Sequence, residues 1–241
     1  MLTKTQGIVL QVIKHSDSGI IARILSREYG LISLMVKGLH SKRRGHLSPY
    51  FQPLQVLNIE MYYKESRNIQ TLKETGLVRS GQKISRDISR NAMAFFMGEV
   101  LTKTLNENDA DSGIYDYVYN SVVYLDTSKI ITNFHISFLI GLSRYLGILP
   151  DTSFSEKNVF FDMMNGHYVE SPPLHGYYMD RDFSSLMNRF TLCNMDNAND
   201  ILLNGNKRSE FLDILLTYYS LHLQGLKKIK SLEVLSEVFR K

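Results

Sequence analysis

Cysteine is nearly absent from this sequence: its 241 residues contain one, Cys193. A lone cysteine excludes an intramolecular disulfide and any cysteine-rich zinc site. The chain also lacks a run of about 18 apolar residues, which excludes a membrane-spanning helix. Residues 1–6 have no apolar signal-peptide core. These absences predict a cytoplasmic location.

The motifs of several enzyme classes are missing as well. The sequence has no glycine-rich phosphate-binding loop of either common type and no Gly-x-Ser-x-Gly nucleophile elbow. His167 and His175 lie near acidic residues, but their spacing matches no zinc pattern. We therefore predict no catalytic residue, no cofactor and no metal. A hydrolase that assembles its site in space around His135 or His167 is the weaker alternative.

Positive charge is concentrated at one end of the chain. Residues 1–80 hold 12 Lys and Arg against 5 Asp and Glu, a balance of +7, whereas residues 81–241 hold 16 against 19, a balance of −3. This asymmetry indicates a polyanion-binding domain joined to a domain with another task. The densest cluster, Lys37, Lys42, Arg43 and Arg44, contains no acid. Such cations repel one another, so a polyanion is their natural partner, with a solvated surface loop as the alternative.

Five segments with strand-like alternation occupy the first 80 residues. They cover residues 6–15, 20–26, 31–36, 54–63 and 68–78. In the first of them, Ile8, Leu10 and Val12 are predicted to share one face. Short strands with tight turns and one longer loop are typical of an oligonucleotide/oligosaccharide-binding (OB) barrel, which we predict for residues 1–80.

After Gly81 the spacing of apolar residues becomes helical. We predict helices over residues 84–105, 114–125, 130–146, 183–190, 207–223 and 231–239. Residues 158–178 interrupt this pattern with two apolar segments around the turn signal Asn165-Gly166, which predicts a small hairpin. The predicted fold class is α+β: a five-stranded OB barrel, then a mainly α-helical domain over residues 81–241 with this hairpin inserted.

Landmarks along nearly the whole chain follow the order of a known family. They are Gly7-Ile8-Val9-Leu10, Ile24-Leu25-Ser26-Arg27-Glu28-Tyr29-Gly30, Val36-Lys37-Gly38, Leu72-Lys73-Glu74, Arg144-Tyr145-Leu146-Gly147-Ile148-Leu149-Pro150-Asp151, Tyr218-Tyr219-Ser220-Leu221-His222-Leu223 and Lys230-Ser231-Leu232-Glu233-Val234-Leu235. Together they resemble the RecO family of bacterial recombination mediators and DNA-repair proteins. The resemblance implies an OB barrel followed by a helical domain.

The same resemblance implies a non-enzymatic function. It implies binding of single- and double-stranded DNA, annealing of complementary strands and, with RecR, loading of RecA onto coated single-stranded DNA. It also implies that the helical domain binds the acidic, Phe-ended tail of single-stranded DNA-binding protein. An RNA-binding OB-fold protein of translation or RNA maturation is the alternative function.

One feature of the family does not carry over. Many members have a four-cysteine zinc site shortly after the Leu-Gly-x-x-Pro-Asp landmark, but residues 152–157 here contain no cysteine. Without zinc, we expect the hairpin to be held by apolar packing of Val159, Phe161, Tyr168 and Val169.

Basic residues of the barrel are the predicted DNA contacts. They are Lys14, Arg23, Lys37, Lys42, Arg43, Arg44, Lys64, Arg67 and Lys73. Lys and Arg bind phosphates and supply affinity without sequence readout. Tyr29, Tyr50, Phe51, Tyr62 and Tyr63 are candidate stacking platforms for bases, with core packing as the alternative for each. Adjacent Tyr62 and Tyr63 must point to opposite faces of a strand.

A second basic cluster, Lys227, Lys228 and Lys230, separates the last two predicted helices. We assign Lys227 and Lys228 to binding of the acidic tail. The alternative is that they cap a helix and increase solubility.

Overall fold

The computed structural model of the protein describes residues 1–17, 19–38, 45–226 and 228–239. These residues form two compact units. The first combines Met1–Thr127 with Ile229–Val238, and the second is built mainly from Ser128–Lys228. Within the described ranges, no helix is long and apolar enough to cross a membrane.

A closed five-stranded barrel begins the first unit. Its strands are β1 (Leu2–Lys14), β2 (Ile20–Ser26), β3 (Gly30–Val36), β4 (Val56–Tyr62) and β5 (Ile69–Arg79). They pair in the order β1-β2-β3-β5-β4, and β4 closes the barrel by pairing with β1. The pairing of β3 with β5 is parallel, and the others are antiparallel. This topology is that of the predicted OB fold.

Alternate strand residues fill the interior of the barrel. The core consists of Val9, Ile20, Ala22, Ile24, Ile32, Leu34, Val36, Phe51, Leu57, Ile59, Met61 and Leu72. The register of β1 shifts between Val9 and Gln11. Val9, rather than Ile8 or Leu10, therefore joins this core, and Val12 is 37% exposed. The bulge breaks the common face predicted for Ile8, Leu10 and Val12.

Helices make up most of the remaining described chain. They are α1 (Gln82–Arg86), α2 (Ile88–Thr104), α3 (Ser112–Thr127), α4 (Phe134–Tyr145), α5 (Arg181–Thr191), α6 (Gly205–His222) and α7 (Ser231–Phe239). Each predicted helix has a counterpart, and the α+β fold class is confirmed. The prediction of one helix over residues 84–105 is wrong, because α1 and α2 meet at Asp87. The Asp87 carboxylate accepts hydrogen bonds from the N–H groups of Ser89 and Arg90, which starts a new helix.

The barrel ends close to the predicted domain boundary at residue 80. Strand β5 ends at Arg79, and α1 begins at Gln82. The compact first unit continues through α3 to Thr127. The division of the chain into a nucleic-acid-binding domain over residues 1–80 and a helical domain over residues 81–241 stays a prediction.

Helix α2 packs closely against β1 at Gly98. A Cβ atom added to Gly98 would lie 2.2 Å from the carbonyl oxygen of Leu10. Glycine is an unfavourable residue inside a helix. Here it lets the helix backbone touch the strand backbone, and this close approach fixes α2 on the barrel.

Helix α7 returns the chain to the first unit and is held there by Glu99 of α2. The Glu99 carboxylate accepts hydrogen bonds from the N–H groups of Lys230 (3.0 Å) and Ser231 (2.8 Å) and from the Ser231 hydroxyl (2.7 Å). It also forms an ion pair with Lys103 at 2.8 Å. Burial alone would raise the pKa of Glu99, but these hydrogen bonds outweigh it and lower the pKa to about 2.

We expect the Glu99 contact to make the first unit sensitive to acid. The pKa of Glu99 is lower in the folded protein than its ordinary value of 4.5. Its contribution to stability is therefore complete above pH 4.5 and is lost as the pH falls toward 2. Glu99→Gln should lower the free energy of unfolding by about 2 kcal/mol at neutral pH and by less than half of that near pH 3.

Urea unfolding of both proteins at the two pH values measures this difference. Glu237→Gln removes an exposed charge from α7 and is the control. An equal loss for Glu99→Gln at both pH values would contradict the prediction.

The second unit contains a small three-stranded sheet. Strand β6 (Phe160–Asp162) pairs antiparallel with β7 (His167–Val169) on one side and with β8 (Tyr178–Met179) on the other. The pair β6–β7 is the hairpin predicted within residues 158–178, whereas β8 was not predicted. Phe161 and Tyr168 are buried as expected. Val159 and Val169 are half-buried.

Asp162 organises the turn of this hairpin. Its carboxylate accepts hydrogen bonds from the N–H groups of Met164 (2.9 Å) and Asn165 (3.1 Å) and from the Asn165 amide (2.8 Å). His175 Nε2 lies 3.2 Å from the same carboxylate. Burial alone would raise the pKa of Asp162, but hydrogen bonds from Asn165 and Met164 lower it. With one cysteine in the chain, a four-cysteine zinc site cannot form, and these polar contacts stabilise the turn in addition to the apolar packing.

Candidate nucleic-acid interface

The nine predicted DNA contacts fall into three groups. Lys42, Arg43 and Arg44 lie outside the described residues. Four others, Lys14, Lys37, Lys64 and Arg67, are exposed on the barrel. The remaining two, Arg23 and Lys73, are half-buried and have acidic partners.

Lys14 and Lys37 lie at the same end of the barrel. The end of β1 pairs Lys14 with Ile20, and Ile20 in turn pairs with Val36 at the end of β3. Lys37 directly follows β3, and the chain continues from it toward the predicted basic loop. The two exposed cations therefore lie on the side of the barrel from which that loop departs.

Lys64 and Arg67 occupy the connection between β4 and β5, which is held in place by Gln70. The Gln70 side chain is 2% exposed. Its Oε1 accepts a hydrogen bond from Lys64 N–H at 2.9 Å, and its Nε2 donates to the carbonyl oxygens of Lys64 (3.1 Å) and Arg67 (2.6 Å). This clamp fixes the backbone that presents both cations. Gln70 was not predicted as part of the site, because only the β4–β5 geometry shows what its amide contacts.

A mostly apolar row of exposed and half-buried side chains runs around the outside of the barrel. Cross-strand pairing joins neighbouring members of this row, which we call the apolar belt: Ile13, Ile21, Met35, Thr71, Tyr62 and Leu2. None of them belongs to the interior core. The exposed fractions of Ile13, Tyr62 and Leu2 are 47%, 53% and 44%. Ile21, Met35 and Thr71 are half-buried between them, and large apolar side chains left accessible in one row indicate contact with another molecule.

Cations lie on the same outer face as the apolar belt. Arg23 is two residues along β2 from Ile21, and Lys73 is two residues along β5 from Thr71. Residues two apart on a regular strand share a face, so Arg23 flanks the belt. The register of β5 shifts next to Lys73, but Lys73 forms an ion pair with Glu60, which alternates along β4 with the core residues Ile59 and Met61 and therefore points outward. A groove for single-stranded nucleic acid combines such parts: apolar or aromatic surface for bases and cations for phosphates.

Both flanking cations are engaged within the barrel unit. Arg23 Nη1 lies 2.7 Å from Glu107 Oε1, and Lys73 Nζ lies 2.8 Å from Glu60 Oε1. The hydrogen bond between Lys73 and Glu60 raises the pKa of the lysine and lowers the pKa of the glutamate. A phosphate must compete with these carboxylates, and neither ion pair was predicted from the sequence.

Among the predicted stacking residues, Tyr62 has the most accessible ring. Tyr62 belongs to the apolar belt, whereas Tyr63 turns inward and packs on Tyr29 with ring centroids 4.4 Å apart. Burial raises the pKa of Tyr63. Phe51 is 4% exposed in the barrel core, and Tyr50 is half-buried against it. Tyr62 is thus the aromatic side chain best placed to stack on a base.

The remaining predicted residues belong to the segment 128–228, most of which forms the second unit. Lys227 is outside the described residues, and Lys228 is exposed. His135 is 2% exposed, and its burial lowers its pKa to about 3. A histidine enclosed in this way has no access to a substrate, which argues against the hydrolase alternative for His135. His167 is exposed on β7.

Comparisons with known proteins agree with the barrel and with the landmarks. The family model described as Recombination protein O N terminal matches residues 1–100, and the model described as Recombination protein O C terminal matches residues 85–233. Three curated relatives are each named DNA repair protein RecO. They come from Azobacteroides pseudotrichonymphae, Phocaeicola vulgatus and Flavobacterium psychrophilum, and each is 32% identical to this chain.

These relatives are similar over their full length. In each case the similarity covers 99% of this chain and 100% of the relative. Both family models, in chain order, account for the barrel and for most of the helical part. The chain therefore belongs to the recombination protein O family, whose members act in DNA repair and recombination.

Proposed function

We propose that the barrel of this DNA repair and recombination protein binds single-stranded DNA across the apolar belt. The observation that carries the proposal is the placement of a row of exposed and half-buried, mostly apolar side chains next to cations on the outer surface of the barrel. Bases would stack on the belt, with Tyr62 as the aromatic platform. Phosphates would contact Lys14, Lys37, Lys64 and Arg67, together with the loop cations Lys42, Arg43 and Arg44.

The proposal extends to annealing and to double-stranded DNA. A basic surface neutralises two mutually repelling backbones and releases their counterions, while base pairing supplies the driving force. Membership of the family supports this mediator role, in which the protein acts with RecR to help load RecA onto coated single-stranded DNA. The role requires no catalytic residue and no cofactor.

We also propose that the helical domain binds protein partners of the barrel's DNA-binding activity. The acidic tail of single-stranded DNA-binding protein needs a cation for its carboxylates, and Lys227 and Lys228 are the residues we propose for that contact. Lys228 is exposed, as such a contact requires.

Annealing of complementary DNA strands coated with the cognate single-stranded DNA-binding protein tests the mediator role. We expect the wild-type protein to accelerate annealing. Binding to RNA and DNA of identical sequence is measured in parallel, and we expect DNA to be preferred. No acceleration combined with tighter RNA binding would replace the mediator role by the RNA-binding alternative.

We expect Tyr62→Ala to weaken binding of single-stranded DNA by about 1–3 kcal/mol, the usual contribution of one base stacked on an aromatic ring. The salt dependence of binding should not change, because no charge is removed. Tyr62→Phe keeps the ring and should bind like the wild type. Fluorescence anisotropy with a labelled oligonucleotide measures both properties, and equal affinity of Tyr62→Ala and Tyr62→Phe would exclude stacking at this position.

A further inference from the structure

We propose that the linker between α2 and α3, residues 105–111, competes with DNA for the outer face of β2 and β3. We call this segment the acidic linker, since it contains Glu107, Asp109 and Asp111 and no cation. The inference rests on the proposed DNA binding by the barrel.

The acidic linker contacts the barrel through both its backbone and its side chains. Glu107 forms a β-bridge with Leu31 of β3, and Asn108 N–H donates a hydrogen bond to the Leu31 carbonyl oxygen at 3.0 Å. The Glu107 carboxylate meets Arg23 Nη1 at 2.7 Å. One short segment therefore follows β3 and places a carboxylate on a cation beside the apolar belt.

The first residue of β3 is adapted to this contact. Gly30 has a φ of +64°, and a Cβ atom there would lie 2.2 Å from the carbonyl oxygen of Asp109. Asn108 also has a positive φ, of 60°, a conformation that asparagine tolerates better than most residues. Glycine at position 30 and the turn at Asn108 together let the linker backbone lie directly on the strand.

The contact uses only part of what Arg23 offers. Its Nη1 is paired with Glu107, whereas its buried Nε has no hydrogen-bond acceptor among the described residues. A guanidinium presents its donors as a rigid fork that matches the oxygens of a phosphate. Arg23 is thus better suited to a phosphate than to the single contact it makes with the linker.

The contact between the linker and Arg23 is also weak enough for DNA to displace it. The side chain of Glu107 is 42% exposed and that of Arg23 is 23% exposed. Ion pairs so accessible to water are weak and are screened by salt. A polyanion gains the release of its counterions when it takes the place of Glu107. The linker therefore lowers the affinity of the barrel for DNA without closing the site.

Salt titrations of single-stranded DNA binding test this competition with Glu107→Gln, Arg23→Gln and the double variant. We expect Glu107→Gln to bind about threefold more tightly at low salt, with a salt slope steeper by about 0.7, the value for one additional phosphate contact. Arg23→Gln should bind slightly more weakly than the wild type, because the wild type must displace Glu107 before Arg23 can contact a phosphate. In the Arg23→Gln background, Glu107→Gln should give no gain.

Glu237→Gln removes one exposed carboxylate elsewhere in the first unit and controls for net charge. Unchanged affinity and slope for Glu107→Gln, in a wild-type protein that binds DNA, would overturn the inference and leave the proposed function intact. An equal gain with and without Arg23, or an equal gain for Glu237→Gln, would also overturn it. A wild-type protein without DNA affinity would overturn the proposed function and this inference together.

Discussion

Replacing Lys42, Arg43 and Arg44 together by glutamate is expected to lower the affinity for single-stranded DNA by about 100-fold or more at moderate salt. Three phosphate contacts would be lost, so the salt slope should become shallower by about 2. Annealing of coated strands should be lost as well, because the protein would no longer hold two backbones together. The three residues lie in the densest cluster of positive charge in the sequence, which follows a strand of the barrel. Binding isotherms at several salt concentrations and an annealing assay measure both effects.

A matched variant separates a contact surface from a change in net charge. Lys129→Glu/Arg144→Glu/Arg181→Glu reverses three exposed cations in the second unit. This control should retain most of the affinity and most of the salt slope. If both triple variants lost affinity equally, the loop would act only through total charge, and its assignment as a contact surface would be wrong.

Gly98→Ala is expected to destabilise the first unit by about 3 kcal/mol, a large effect for one added methyl group. Inside a helix this substitution normally stabilises by about 1 kcal/mol, because alanine is the better helix former. Here the new Cβ atom would lie 2.2 Å from the Leu10 carbonyl oxygen, and backbone cannot move aside cheaply. The packing cost should therefore reverse the sign, and the Tm should fall by roughly 6–12 °C.

Gly76→Ala is the corresponding control in the same unit. Gly76 lies on β5, and an added Cβ atom there meets no atom within 4 Å. Its Tm should stay close to that of the wild type or rise slightly, since alanine restricts the unfolded chain. A rise in Tm for Gly98→Ala would show that α2 does not depend on close approach to β1.

Local periodicity explains why so much of the fold was predictable. The second strand was predicted over residues 20–26 and spans Ile20–Ser26, and the last helix was predicted over residues 231–239 and spans Ser231–Phe239. Apolar spacing of two or of about 3.6 is a property of neighbouring residues, so it needs no tertiary information. The break at Asp87 was missed, because the apolar rhythm continues across it and the cap becomes evident only from its hydrogen bonds.

The candidate site depends on contacts between residues that are far apart in the sequence, and local sequence patterns do not predict these contacts. The apolar belt requires five cross-strand registers, and the pairing of β4 with β5 shifts between Glu60 and Met61. A shift of one residue sends a side chain to the opposite face. Arg23 was correctly predicted on a barrel strand, but its partner Glu107 lies on a linker beyond α2. Residue type predicted which side chains carry charge, and only the folded chain shows which charges are already paired.

The return of α7 to the first unit has a consequence for synthesis on the ribosome. Residues 229–238 belong to the same compact unit as the barrel, so the nascent barrel and α1–α3 emerge long before the segment that completes them. At a typical translation rate the intervening residues take roughly 5–20 s to make, far longer than small domains need to fold. During that interval the Glu99 carboxylate has not yet formed its hydrogen bonds with Ser231, which is its donor in the complete protein. The growing chain therefore passes through a stage in which the nucleic-acid barrel is formed but its last helix is still being translated.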